Sequence, residues 1–553
     1  MKGLAQTHGI ALVGLKGVAV DVQTHIGPGI VGTTLVGLPD ASLRESKERV
    51  RAALFSCGIP TLNRRVTVNL SPADLPKAGS SFDLAIAVSM LVARGLVPSS
   101  ITDGTVFIAE LGLDGTLRPV PGVLPAAQAA QEAGFTRVLV PVENCAEAEL
   151  AGQIVVSGCG HLQHLLSASR SADPWATLET LGGIAQQQEL MEADGLQFPK
   201  GNANAEGGRN AGPFAPQRSL GGFGDELPDL ADVRGQGDAI DALTIAAVGG
   251  HHCLFHGPPG AGKTMLAACL PGILPPLTHD DAVAVTALRS LSAGSVNTGR
   301  VAELITRPPL EAPHHSATLI SLVGGGNPIR PGAISLAHGG VLVLDEAPEF
   351  PQRTLEALRQ PLESSEITIH RAQAQVTFPA RFQLVLTANP CPCGGDSGAA
   401  VGQCVCQPMR IRRYRSRLSG PLLDRIDLQV YMTALSAVDE SKEVEPSPPS
   451  AIVREQVIEA RNRTSHRLKD TPWTLNSQVP GRYLRSANPL PAGYHAMVED
   501  RVRKGSVSLR GADRILRLAW SIADLEGHTK PTSYDLDKAM GFRGLTAGQN
   551  SWI

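Results

Sequence analysis

The chain has 553 residues, and at roughly 100–200 residues per domain this length predicts two to four domains and excludes a single small module. Charged residues make up 18% and the hydrophobic set 42%, with 58 Gly, 41 Pro and 4% aromatics, which excludes a chain disordered throughout. Lys plus Arg is 49 against 52 Asp plus Glu, a net charge of −3, so no global field draws the molecule onto nucleic acid or anionic lipid.

The first residues, MKGLAQTHGIALVGLKG, lack a basic segment running into a continuous apolar core, and the longest apolar stretch, Leu84 to Val97, is interrupted by Ser89, Arg94 and Gly95. The expectation is a cytoplasmic protein with no membrane span. Up to residue 195, β-like runs (Val18 to Val22, Val66 to Leu70, Thr105 to Ile108, Arg137 to Val140) alternate with helix-like stretches such as Ala41 to Ser56 and Ala126 to Ala133, predicting one α/β domain. Residues 196–225, rich in Gly, Asn and Ala without a period, read as a flexible linker. The alternation resumes over 226–435. An acidic, Pro-rich joint follows at 436–450, and 451–553 reads mainly as helices. No internal repeat of fixed period is present.

A short apolar run, His252 to His256, leads into Gly257, Pro258, Pro259, Gly260, Ala261, Gly262, Lys263 and Thr264, followed by the helical stretch Met265 to Leu270. This matches G-x-x-x-x-G-K-[ST] in its strand–loop–helix context: glycines let backbone N–H groups wrap phosphate oxygens, Lys263 charges the β/γ-phosphates and Thr264 suits Mg²⁺. The run Gly340 to Leu344 ends in Asp345 and Glu346, where Asp345 suits Mg²⁺ and Glu346 the base that orients attacking water. A third run, Phe382 to Leu386, ends in Thr387, Ala388 and Asn389, placing an amide where it can position that water. These three elements predict ATP and Mg²⁺ as cofactors of an NTP hydrolase.

With these motifs the chain resembles the AAA+ ATPases, and within them the magnesium-chelatase-like group of the YifB/ComM family. The likeness covers nearly the whole chain and is carried by long runs: DVRGQGDAIDALTIAAVGGHH from Asp232, APHHSATLISLVGGGNPIRPGAISLAHGGVLVLDEAPEF from Ala312, LRQPLESSEITIHRA from Leu358, FPARFQLVLTANPCPCGG from Phe378 and LSGPLLDRIDLQV from Leu418. The fold it implies is a Lon-protease-like N-terminal α/β domain, an AAA+ α/β core with inserts and a C-terminal helical lid. The resemblance also implies that Arg425 is an arginine finger entering a neighbouring subunit, and that Arg510 is the second sensor arginine. A finger in trans requires a homo-oligomer, six subunits being the family expectation. Without the flanking pattern, Arg425 reads as half of an ion pair with Asp424 or Asp427, and Arg510 as a solvated helix residue.

Of nine cysteines, Cys391, Cys393, Cys404 and Cys406 are enough for a tetrahedral, structural Zn²⁺ site, reduced unligated thiols being the alternative. Arg410, Arg412, Arg413, Arg415 and Arg417 follow at once; such a run suits phosphate contact or a subunit interface equally. From Ala451 onward there are 16 Lys plus Arg against 10 Asp plus Glu, a local excess pointing to a polyanion. Ser321 to Gly332 and the expected hairpin Ile367 to Thr377 resemble inserts that reach the central pore of related ring motors. Arg330, His370 and Arg371 are therefore the candidate contacts to single-stranded or branched DNA, ordinary surface loops being the alternative.

In the N-terminal domain, Leu75 to Ala85 resembles the segment around the catalytic serine of Lon-type proteases, with Ser81 at the nucleophile's place. Gly115 to Ala126 resembles the segment that carries their catalytic lysine, and the matching position is Ala126. A serine without a base is not activated, so the expectation is a Lon-like fold without peptidase activity, Lys77 being the one nearby amine. The implied function is a DNA branch-migration motor of natural transformation and recombination. Its rivals are a chelatase-type motor that remodels a protein partner, against which the N-terminal domain stands, and an ATP-dependent protease.

Overall fold

A computed structural model describes residues 3–37, 41–73, 75, 77, 79–181, 227–292, 303–371, 374–395, 404–433, 446–486, 500, 502–503, 507–543 and 552. The expected linker 196–225, and residues 436–445 of the acidic joint, lie outside them.

The N-terminal region is built on a seven-stranded sheet ordered β3-β4-β2-β1-β5-β8-β9. Its strands are β1 (Leu4–Val13), β2 (Lys16–Gly27), β3 (Gly32–Val36), β4 (Arg65–Ser71), β5 (Thr105–Phe107), β8 (Arg137–Pro141) and β9 (Val155–Cys159), with a small ribbon of β6 (Glu110–Leu111) and β7 (Leu117–Arg118) beside them. β1 and β2 form an antiparallel hairpin from Leu4↔His25 to Val13↔Lys16. Gly14 turns this hairpin at φ +68°, a conformation that favours glycine. Two helices cover opposite faces. α2 (Asp83–Ala93) is apolar almost all round and buried, as a helix enclosed on every side must be. It packs on the face carrying Ala5 and Ala11, where the Thr7 hydroxyl donates to the Ala85 carbonyl at 2.8 Å. α3 (Val123–Glu132) packs with Ile10, Val106 and Val138 on the other face. α1 (Ala41–Ser56) runs over the residues foreseen for it.

The second region holds a parallel five-stranded sheet ordered β11-β14-β17-β10-β18, comprising β10 (Cys253–His256), β11 (Leu310–Glu311), β14 (Val341–Leu344), β17 (Gln383–Ala388) and β18 (Leu428–Tyr431). β10, β14 and β17 are fully buried, the continuous apolar pattern of parallel strands covered on both faces. Two short antiparallel ribbons project from it: β12 (Gly324–Gly325) with β13 (Arg330–Pro331), and β15 (Glu366–Arg371) with β16 (Ala374–Pro379). The second is the hairpin foreseen near Ile367.

The C-terminal region is helical. The lid helix Leu509–Glu526 buries one stripe including Ile515, Leu518, Ala519 and Ile522. Ser508 caps its start by accepting from the Gly511 N–H at 3.1 Å, and Gly527 ends it at φ +79°, so both termini are defined by residues suited to them. This helix and Ser450–Leu468 close over helix Gly237–Gly249 in one apolar core with β10 and β18. No described helix is long and apolar enough to cross a membrane.

The N-terminal region is joined to the second through helix His279–Ser292. The Ser290 hydroxyl accepts from the Gly122 N–H at 2.7 Å and bonds the buried Glu147 carboxyl, while Val13 and Leu15 pack with Leu288, Val376 and Phe378.

Candidate nucleotide site

The sheet order decides what meets at the site. β10 is paired to β17 with Phe255↔Thr387, and β17 to β14 with Leu344↔Leu386, so the phosphate loop, Asp345–Glu346 and Asn389 leave adjacent strand ends on one edge. Ligands of open parallel sheets bind at such edges. After β10 the loop turns through Gly257, Gly260 and Gly262, with φ +158°, +78° and +81°. A β-carbon at Gly257 would stand 2.1 Å from the Met432 carbonyl oxygen, so only glycine fits there. Helix Lys263–Ile273 then starts with its N–H groups at the loop, as suits an anion.

The Lys263 ammonium donates to the carbonyls of Gly257 at 2.8 Å and Pro258 at 2.7 Å, and to Asn389 Oδ1 at 3.1 Å. Burial pulls its pKa down to about 8, partly opposed by Asp345 and Glu346. Thr264 Oγ1 and Thr387 Oγ1 both donate to Asp345 Oδ1, at 2.7 and 2.5 Å. Thr387 also accepts from the Glu346 N–H at 3.0 Å. Glu346 is exposed and stands in the left-handed region at φ 53°, a conformation costing a non-glycine residue about 1–2 kcal/mol. Held there by Thr387, its carboxylate turns out of the strand end. Nδ1 of His315 lies 3.9 Å from that carboxylate, with the His314 ring 4.0 Å from the His315 ring.

Thus Lys263, Thr264, Asp345, Glu346 and Asn389 converge. A hydroxyl and a carboxylate side by side, Thr264 and Asp345, are a donor set suited to Mg²⁺. Thr387 and His315 were missed as site residues: neither belongs to a phosphate-loop pattern, although Thr387 stands beside the asparagine that was singled out.

Arg425 and Arg510 do not meet this cluster. Arg425 pairs with Glu363 and donates to the Pro421 carbonyl, so its ion-pair partner is neither Asp424 nor Asp427. Arg510 is exposed at the start of the lid helix. Both line a separate cavity of about 1080 Å³ that includes no phosphate-loop residue. Within one chain, neither arginine shares that cavity with the phosphate loop.

The sulfurs of Cys391, Cys393, Cys404 and Cys406 all lie within 4.8 Å of one another. Cys391 is 3.1 Å from Cys393 and 3.3 Å from Cys404, and Cys393 is 3.7 Å from Cys404. Zn–S bonds of ~2.3 Å in a tetrahedron put sulfurs ~3.8 Å apart, so the donor set fits zinc. The hydrogen bonds within the cluster divide the thiols: Cys393 is pulled down to about 6, while burial pushes Cys391 up to about 12 and the bond to Cys393 pushes Cys406 up. The cysteine turn touches the nucleotide loop: a β-carbon at Gly394 would meet Pro259 at 2.6 Å. The arginines that follow form helix Pro408–Arg415 and its end. Arg410, Arg412 and Arg413 are exposed, whereas Arg417 donates to the Pro348 carbonyl at 2.8 Å.

Arg330 and Arg371 are brought near each other: Arg330 pairs with Gly325 across β12–β13, and a β-carbon at Gly325 would meet the Arg371 guanidinium at 3.8 Å. His370 and Arg371 are exposed on β15. In the N-terminal region Ser81 precedes α2 on one face of the sheet, while Ala126 is buried in α3 on the other. The Lys77 ammonium donates to the Pro72 carbonyl.

Comparison with known proteins gives three matches in chain order. Residues 22–144 match the family described as Subunit ChlI of Mg-chelatase, 229–440 match Magnesium chelatase, subunit ChlI, and 447–543 match its C-terminal part. An uncharacterized protein of Mycobacterium tuberculosis is 41% identical over 541 residues, covering 98% of each chain. Competence protein ComM of Haemophilus influenzae is 38% identical over 542 residues, again 98% of each. YifB of Salmonella typhimurium is 37% identical, over 98% of this chain and 97% of its own. A partial likeness, 28% over 122 residues and 21% of this chain, links it to Lon protease 2 of Bacillus subtilis. Matched in all three of its parts and over nearly its full length, the chain belongs to the magnesium-chelatase-type AAA+ family that includes YifB and competence protein ComM.

Proposed function

We propose that this chain is an ATP-hydrolysing motor that works in the cytoplasm as a homo-oligomeric ring, six subunits by family expectation, and moves single-stranded or branched DNA in branch migration during transformation or recombination. The observation that carries the ATPase is the convergence of Lys263, Thr264, Asp345, Glu346 and Asn389 at three adjacent strand ends. Lys263 binds the β/γ-phosphates, Thr264 and Asp345 would hold Mg²⁺, Glu346 takes the proton of the attacking water and Asn389 orients it. Bound Mg²⁺ would neutralise charge developing between the phosphates. Arg425 serves the next subunit as its arginine finger, and Arg510 acts as the second sensor arginine of the lid. The four cysteines would hold Zn²⁺ in a structural site, since a fully Cys-ligated ion leaves no open position.

DNA as the cargo is supported by the relative named competence protein ComM and by the neighbouring Arg330 and Arg371, with exposed His370, which suit phosphate contact. The test is strand separation of a forked DNA with ATP, with Glu346→Gln as the blank. Separation by the wild type alone is expected; hydrolysis indifferent to DNA, without separation, contradicts it.

A second reading, a chelatase-type motor remodelling a protein partner, is favoured by the match of residues 22–144. That match removes the N-terminal domain as an argument against this reading. DNA-indifferent hydrolysis is its expected signature. The protease reading has Ala126 against it, and no ATP-dependent casein degradation is expected.

A further inference from the structure

Two residues beyond the finger candidate Arg425, Asp427 faces inward and is 5% exposed. Nδ1 of His251 lies 3.0 Å from one of its carboxylate oxygens and Nε of Arg514 lies 3.4 Å from the other. Nε2 of His251 is 2.8 Å from Ser521 Oγ, which also accepts from Asn476 Nδ2 at 3.1 Å. His251 precedes strand β10, whereas Arg514 and Ser521 belong to the lid helix. Core and lid therefore close on a single carboxylate. The backbone is fixed as well: the Ile426 carbonyl accepts from Arg543 at 3.1 Å and from Arg514 at 3.4 Å, and the Asp427 N–H donates to the His252 carbonyl at 3.0 Å. Burial pushes the Asp427 carboxyl up, but the hydrogen bond and charge of His251 and the charge of Arg514 outweigh it and hold the group below the usual carboxylate range.

Arg514 stands one helical turn after Arg510, on the same face of the lid helix, and Arg425, Arg510 and Arg514 line the same cavity. The partner of Arg425, Glu363, is 66% exposed, and an ion pair to so exposed a carboxylate fixes little. The Pro421 carbonyl holds the guanidinium against its own turn, and the direction in which that turn points is set by the backbone at Ile426 and Asp427.

We propose that Asp427, His251 and Arg514 are positioning residues that lock the finger Arg425 and the lid arginine Arg510 into one jaw, presented together to the neighbouring subunit's nucleotide. This rests on the reading that Arg425 acts in trans. A finger is worth roughly 10³–10⁵ in rate, and an ångström of misplacement about 10², so loosening the brace loses part of the finger's contribution without touching the chain's own phosphate loop.

The test uses the full chain. Asp427→Asn keeps the side chain's size and removes the charge facing Arg514. The expected result is a kcat lowered about tenfold to a hundredfold, a KM for ATP within about twofold of wild type, and an oligomer still formed with nucleotide. Arg514→Lys, which keeps the charge, is expected to lose less than Arg514→Met; this pair carries the test if Asp427→Asn does not fold. Mixing then separates a defect in trans from a general one. Lys263→Ala subunits carry an intact finger, so in an equal mixture with Asp427→Asn about one interface in four joins a working loop to a working finger, and activity returns toward that fraction of wild type. Arg425→Ala with Lys263→Ala is the control. A wild-type kcat in Asp427→Asn, equal losses in the two Arg514 variants, or a mixture that stays inactive while the control recovers, overturns the proposal. A control that does not recover refutes the finger in trans, and the brace falls with it.

Discussion

Two segments of this chain carry a reactive-looking residue at the start of a helix laid on an α/β sheet, Lys263 after β10 and Ser81 before α2. Around Lys263 the partners have arrived: carbonyls at 2.7 and 2.8 Å, an amide at 3.1 Å, and Asp345 bonded by two hydroxyls. Around Ser81 the position that would carry a base is Ala126, on the opposite face of the sheet among Val123, Ala127 and Ile10. A motif's meaning therefore lies in its partner positions. Lys263 has its partners at adjacent strand ends, whereas Ser81 and Ala126 lie on opposite faces of their sheet.

The sharpest way to break this contrast is to remove each residue in turn. Lys263→Ala is expected to lower ATP turnover by roughly a thousandfold, the scale of losing a transition-state charge partner, while Ser81→Ala leaves turnover unchanged in the same assay. Restoring the missing base is expected to damage rather than revive. Ala126→Lys inserts an unpaired ammonium into a buried apolar cluster at a cost of about 3 kcal/mol or more, seen as a lower melting temperature of the full chain with no peptidase activity gained.

A smaller change tests the residue that links two strand ends. Thr387→Val removes the hydroxyl that donates to Asp345 and accepts from the Glu346 amide. The loss of about 1.5 kcal/mol corresponds to roughly a tenfold drop in kcat, with ATP affinity little altered. The smallest effect is one of pH. With the Lys263 pKa pulled down to about 8 by burial, the nucleotide-free lysine is charged below pH 8 and loses its proton above it. Binding a polyanion then requires proton uptake, so ATP affinity, measured by titration, is expected to be flat below pH 8 and to fall at most about tenfold per unit above it.

The nucleotide site was largely legible because its signals are contiguous: an eight-residue loop and an acidic pair, each at the end of an apolar run. Thr387 and His315 were not, since their roles arise only when strand ends 42 residues apart, or a loop and a strand end, are set side by side. The His251–Asp427 contact, spanning 176 residues, is illegible for the same reason. In the fold, β2 and β4 announce themselves by alternating valines and leucines, and β5 and β8 by short apolar runs, but β1 does not. Its positions facing α2 are Ala5, Thr7, Gly9 and Ala11, small because a β-carbon at Gly9 would meet the Phe82 ring at 2.8 Å. A strand packed that closely under a helix gives up the large side chains that make a period visible. The reading of Arg425 as a finger in trans rests on resemblance and not on spacing.

The most direct test of the account is steady-state ATP hydrolysis by the full chain with Mg²⁺, beside Glu346→Gln measured for both turnover and ATP binding. Turnover is expected in the wild type and, in the variant, loss of turnover with ATP still bound, because Lys263, Thr264 and Asp345 remain in place. Equal turnover in the two proteins would contradict it.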